Sequence, residues 1–212
     1  ENSACKPLTN YAKTKYLFEK YLLRQNDKIS KIILRFGTAA GVSPNFRLDL
    51  AINNLIFFGL KSNFIRVLSN GKPYRPFIDT EDMCKSIVFF LKEKLKKNVD
   101  IYNIGINENN IQIVKLAKII SKKLNLPYKI NELADDDERS YKVNFSKIKK
   151  KSPKLVKNFK SITKIVDEVS EFIKSKKFKF KNSYLRLKYL KKIYKKKNRN
   201  LILNIYLKYH LQ

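Results

Sequence analysis

Tyr11 and Lys15 stand four residues apart at the head of a helix-forming run that extends from Pro7 to Glu19. That spacing puts a phenol and an ammonium on one helical face, a turn apart. A free tyrosine has a pKa near 10, so about one in a thousand is ionised at pH 7. A cation held beside it favours the phenolate. Such a phenol can take a proton from a hydroxyl and return it. The same spacing recurs at Tyr16/Lys20 and Tyr184/Lys188, so the surroundings must single out one pair.

The elements that would position the pair can be read along the chain. Residues 9–25 read as a helix, with Thr9 or Asn10 as its N-cap. Residues 31–37 read as a buried strand, and 38–46 as a loop bearing Gly41 and Pro44. A helix is expected from Leu48 to Leu60. Strands at 64–68 and 74–78 flank Asn70-Gly71, a hairpin-type dipeptide. Asp79 or Thr80 then caps a helix over 81–94, where Met83, Ile87, Val88 and Leu91 recur at helical spacing, and Cys84 is expected to pack within it. A strand at 100–104 precedes a helix capped by Asn109 or Asn110 and running to Leu124. A strand at 128–131 leads into the acidic loop 135–138. Ser146 and Ser161 read as caps of two last helices, 147–151 and 162–174. Alternating strands and helices argue for an α/β architecture with a parallel sheet.

Composition narrows the class. The 212 residues are 43% apolar, enough for a core. Cys5 and Cys84 form no disulfide framework and have no neighbouring ligands for a metal site. No stretch reaches the eighteen or so apolar residues of a membrane span, and no signal peptide is visible. A cytoplasmic protein is expected. The net charge of +29 invites a nucleic-acid reading. Lysine, however, supplies most of the charge, and Lys, Asn and Ile are abundant throughout, as a coding bias would produce. Residues 176–212 alone carry 13 Lys and Arg and no acid. No specific nucleic-acid partner is expected of residues 1–175.

Around the first pair lie ordered blocks: Ile32–Gly37, Thr38–Asn53 with Arg47 and Asp49, Gly71–Asp82 with Arg75, Tyr102–Gly105, and Asp137–Lys147 with Arg139. In this order they resemble the C-terminal half of extended short-chain dehydrogenases/reductases. More narrowly, residues 1–175 resemble the NAD-dependent epimerase/dehydratase family, which acts on nucleotide sugars. The resemblance implies the C-terminal part of a doubly wound, Rossmann-like parallel sheet plus the small substrate-binding subdomain. It implies NAD or NADP as cofactor, a nucleotide-diphosphate sugar as substrate, and a homodimer formed through the helix that carries the Tyr.

The resemblance assigns roles to residues. Tyr11 would be the acid/base and Lys15 would hold the nicotinamide ribose, with Phe36 and Thr38 beside the cofactor. Thr38, Arg47, Asn53, Arg75 and Arg139 would face the substrate, the arginines suiting its diphosphate as planar, permanently charged forks. Arg35 reads as a fixture of the strand end. Two departures put the particular sugar in doubt: Thr38 stands where many relatives have Asn, and Asp79 where His is common.

The family's glycine-rich dinucleotide loop has no counterpart among the five glycines. The chain is therefore expected to be part of a longer enzyme and inactive alone. Two alternatives stand beside this: a non-catalytic remnant, or a basic module whose tail, residues 176–212, helical or disordered, binds nucleic acid or an anionic membrane.

Overall fold

The structure, a computed structural model, describes residues 1–25, 28–93, 98–134, 140–186, 189–190 and 193. Arg139 and most of the basic tail lie outside the described residues.

Helix α1 (Asn10–Arg24) starts where the Thr9 hydroxyl accepts the Ala12 amide at 3.2 Å. It feeds β1 (Lys31–Phe36). Next come β2 (Thr38–Ala40), α2 (Ala51–Ser62), β3 (Ile65–Val67), β4 (Tyr74–Asp79) and α3 (Thr80–Lys92). Then follow β5 (Val99–Ile104), a 3-10 turn (Asn107–Asn109), β6 (Asn110–Gln112), α4 (Ile113–Leu124) and β7 (Tyr128–Ile130). Helices α5 (Ser146–Lys151), α6 (Pro153–Lys157) and α7 (Ile162–Lys174) complete the fold before a 3-10 turn at Asn182–Tyr184. Left-handed asparagines, Asn63 (φ 53°) and Asn125 (φ 54°), close α2 and α4.

Three small sheets result, mostly parallel, as the α/β reading requires. Strand β1 pairs in parallel with β5, Ile33 opposite Ile101. Strand β4 lies between β2, parallel, and β6, antiparallel. Strand β3 pairs in parallel with β7. The expected loop at 38–46 thus begins as a strand, because Thr38–Ala40 finds Phe77–Asp79. The expected hairpin at Asn70-Gly71 is not formed: β3 and β4 take different partners. Gly71 (φ +75°) instead packs its backbone against Val114, where a Cβ would meet the Val114 Cβ at 3.0 Å. The helix expected from Asn110 starts later, since Asn110–Gln112 extends to pair with β4.

The larger core gathers Ile52, Leu55 and Ile56 of α2, Leu116 and Ile120 of α4, and Ile165, Val166 and Val169 of α7 around Phe46. A smaller cluster joins Phe90, Tyr102, Ile104, Phe145 and Ile148. Packing does not stop at the expected boundary after residue 175. Phe178 and Tyr184 stand against Phe46, with ring centroids 6.0 and 5.7 Å away.

Helix α1 is unlike the rest, for none of its residues is buried; Leu17, Phe18 and Tyr21 are all exposed. Helix α3 likewise turns Ile87, Val88 and Leu91 outward. Cys84 is also exposed, contrary to the packed position expected of it. The buried side of α3 is Asp82, Ser86 and Phe90.

Candidate active site

The Lys15 Nζ lies 5.6 Å from the centre of the Tyr11 ring, and the ring is 73% exposed at the first turn of α1. The pair therefore shares one helical face, as its spacing requires. Lys20 stands over Tyr16 in nearly the same way, at 5.4 Å. Geometry alone does not separate the two pairs. The Arg47 guanidinium is held above its usual pKa, first by its hydrogen bonds to Asp49, and Tyr11 adds to that through space.

That loop is built around Arg47 and Asn53. Arg47 forks onto Asp49, Nε to Oδ1 at 3.0 Å and Nη2 to Oδ2 at 2.8 Å. The fork holds the Asp49 carboxyl below its usual range. Asn53 is fully buried. Its Nδ2 donates to the carbonyls of Gly41 (3.1 Å) and Arg47 (3.0 Å), and its Oδ1 accepts the Gly41 amide at 3.2 Å. Its polar atoms are thus spent on the loop; the side chain sets where Arg47 starts.

Beneath the loop sits Asp79. Gly41 has φ +99°, and a Cβ there would fall 2.0 Å from Asp79 Oδ2, so only glycine fits. Asp79 Oδ1 caps α3 by accepting the Glu81 amide at 2.9 Å, whereas its buried Oδ2 has no hydrogen-bond partner among the described residues. Burial pushes this carboxyl above its usual pKa. Lys160 answers the local charge: its Nζ lies 2.6 Å from Glu81, 2.6 Å from Glu168 and 3.3 Å from Asp79 Oδ1. Lys160 also donates its backbone amide to Asp82 at 2.7 Å, tying α7 to α3. Lys160 first, then Lys85, hold the Glu81 carboxyl down to about 2.

The remaining candidates are spread over β1, β2 and β4. Phe36 ends β1 and packs against the smaller core; Thr38 opens β2 opposite Phe77. Arg75 lies on β4 opposite Ile111, donates Nη1 to the Tyr74 carbonyl at 2.8 Å, and sits 5.8 Å from the Tyr141 ring centre. Arg35 is a fixture: its Nε donates to Glu19 Oε2 at 2.9 Å and its Nη1 to the Glu1 carbonyl at 3.1 Å, joining β1 to α1. Tyr102 is a poor acid/base, since burial first and Asp100 next push its phenol up to about 12.

Sequence reading passed over Asp49 as a partner of Arg47, although an acid two residues after an arginine is the signal for such a fork. It also passed over a groove of 1030 Å³ above β3 and β7, lined by Arg66, Leu68 and Tyr128 among others. Among the described residues no group of His, Cys, Asp and Glu is placed to hold a metal, and no helix is long and apolar enough to cross a membrane.

Solved structures with the same fold include UDP-glucuronic acid 4-epimerase from Bacillus cereus, in complex with UDP-glucuronic acid and NAD. It is 22% identical with a TM-score of 0.66, over 82% of this chain and 55% of that one. The dTDP-glucose 4,6-dehydratase of Bacillus anthracis in complex with NAD is 18% identical with a TM-score of 0.67, over 84% and 56%. An NAD-dependent NDP-hexosamine 5,6-dehydratase of tunicamycin biosynthesis is 17% identical, TM-score 0.67, over 81% and 55%. The chain thus spans little more than half the length of the structures it matches. At these identities the likeness establishes a fold, with parallel strands and a Rossmann-like relationship. A sequence profile of the NAD dependent epimerase/dehydratase family matches residues 1–105, and over that stretch the chain is similar to this family.

Proposed function

We propose that this chain is the substrate-side part of a nucleotide-sugar epimerase, dehydratase or reductase, with Tyr11 as the proton-moving group. The observation that carries the reading is the exposed Tyr11 ring at the head of α1 with the Lys15 Nζ 5.6 Å from its centre. A phenol beside an ammonium can take a proton from a sugar hydroxyl and return it. Arg47 and Arg75 are the side chains we assign to the diphosphate, with Thr38 beside the sugar. Arg139 keeps the same assignment from its sequence block alone, being outside the described residues. Asn53 acts through the loop it holds.

NAD or NADP, when bound, supplies the exchange of a hydride with the sugar carbon. The residues present fit only one end of such a cofactor. Lys15 and Tyr11 suit its nicotinamide ribose and Phe36 its ring, whereas none of the five glycines forms a Gly-x-x-Gly-x-x-Gly cradle for its pyrophosphate. The uncovered apolar faces of α1 and α3 are where we place the rest of the enzyme or a second copy of the chain. A cytoplasmic setting goes with this reading.

Calorimetry on the 212-residue chain tests it. UDP-glucuronic acid should bind, and Arg47→Ala should weaken it by about tenfold or more, as losing a hydrogen bond to a charged group does. NAD should give no saturable isotherm. Failure of the nucleotide sugar to bind, or tight binding of NAD, overturns the proposal. In a longer polypeptide that turns over, Tyr11→Phe should lower kcat by two to four orders of magnitude, on the order of what acid–base catalysis contributes. Turnover that survives this change would mean another group moves the proton.

A further inference from the structure

The segment after α7 does not leave the molecule. Phe178 enters the aromatic cluster, and the carbonyl of buried Tyr184 accepts the Leu48 amide at 2.8 Å. That one bond fixes a register between two stretches of chain. Leu48 stands between Arg47 and Asp49, and Arg186 follows Tyr184 by two residues. Arg186 is thereby delivered to the side of the loop that carries the Arg47–Asp49 fork. It is half-buried and makes no ion pair or side-chain hydrogen bond among the described residues. Asp49 registers its presence, because Arg186 adds to Arg47 in lowering that carboxyl.

The charges do not balance at this place. Arg47 is already forked onto Asp49, and Arg186 follows by two residues the Tyr184 carbonyl that meets Leu48. A diphosphate brings at least two negative charges and several acceptor oxygens, more than a single half-neutralised arginine can satisfy. We propose that Arg186 is a further substrate-binding residue, sharing the diphosphate of the nucleotide sugar with Arg47, and that Lys176–Arg186 is the strap that brings it there. Asp49 then works as the post that spaces the two forks. This rests on the function proposed above and adds to it a residue outside the blocks that carry the family resemblance.

The test is calorimetry of the full chain with UDP, UMP and uridine, on wild type, Arg186→Ala and Arg186→Lys. The wild type should bind UDP well above uridine. Arg186→Ala should lose about tenfold or more in UDP affinity, less for UMP, and nothing for uridine. Arg186→Lys should recover part of the loss, since it restores charge without the fork. The urea midpoint of Arg186→Ala should stay within error of wild type, which separates binding from folding. Equal UDP affinity in wild type and Arg186→Ala overturns the inference while leaving the proposed function standing. Equal losses for UDP and uridine also overturn it, by showing a structural role. A wild type that binds no UDP sinks both readings together.

Discussion

Helix α1 and helix α2 are of similar length, yet one buries nothing and the other buries Ile52, Asn53, Leu55, Ile56 and Gly59. Both contain leucines and aromatics in quantity. The difference lies in what the chain itself supplies as a counter-surface. Helix α2 meets α4, α7 and Phe46, and its apolar side disappears into them. Helix α1 is attached to β1 through Arg35 and Glu19 and otherwise keeps Leu17, Phe18 and Tyr21 in solvent. Helix α3 combines the two cases, burying Asp82 and Ser86 beside Phe90 while Ile87, Val88 and Leu91 face outward. Amphipathic spacing therefore does not by itself say which helix faces end up covered.

The contrast is open to direct test. Phe46→Ala should cost about 3–5 kcal/mol of unfolding free energy, the usual price of emptying an aromatic site in a packed core. Its ring is fully buried and touches Phe172, Phe178 and Tyr184, so the cavity has little means of collapse. Asn53→Ala comes next, at about 2–4 kcal/mol, since it strands the buried Gly41 amide as well as removing three hydrogen bonds. Gly41→Ala should cost about 1–3 kcal/mol from its backbone conformation and the Asp79 oxygen in the way. Phe18→Ala on α1 should change stability by about 0.5 kcal/mol or less, as exposed positions do. Urea denaturation of the four variants gives the ranking. A Phe18→Ala loss comparable to that of Phe46→Ala would show that α1 is covered in solution and would remove the contrast.

Acid sharpens it further. The Glu81 carboxyl is lowered on folding, so its contribution is complete above its ordinary value of 4.5 and fades as pH falls toward 2. Glu81 is more than half exposed, so solvent screens the effect and keeps it small. Asp79 has the opposite sign: its raised pKa means that protonation favours the folded chain, so stability from this group rises as pH falls through that value. Lys160→Met should flatten the acid limb between pH 4.5 and 2, measured as urea midpoints across that window. An acid limb as steep as that of wild type would show that Lys160 does not hold Glu81 down.

Local chemistry was readable in the sequence where a single side chain decides the outcome. Thr9, Asp79 and Ser161 cap the helices they were expected to cap or share in capping. Pairing was not readable, because a strand's partner is chosen by distant residues. Asn70-Gly71 has the composition of a hairpin turn, but β3 finds β7 and β4 finds β2. Polar burial was invisible for the same reason: Asp82 is inside because the Lys160 amide, far along the chain, points at it. Of the candidate site, spacing gave Tyr11 with Lys15, and the family resemblance suggested Arg47 and Asn53. Neither gave a hint that Asn53 faces inward to hold a loop, nor that Tyr184 returns to meet Leu48.

The grip of Asn53 on both the amide and the carbonyl of Gly41 has a mechanical result. A side chain on α2 plays the part of a neighbouring strand, so the stretch from Gly41 to Arg47 travels with the helix as one body. Any force that a bound anion applies at Arg47 passes into the apolar interior beneath α2, where dense packing resists it. Both ends of that stretch, Gly41 and Arg47, are thus tied to α2 through one side chain.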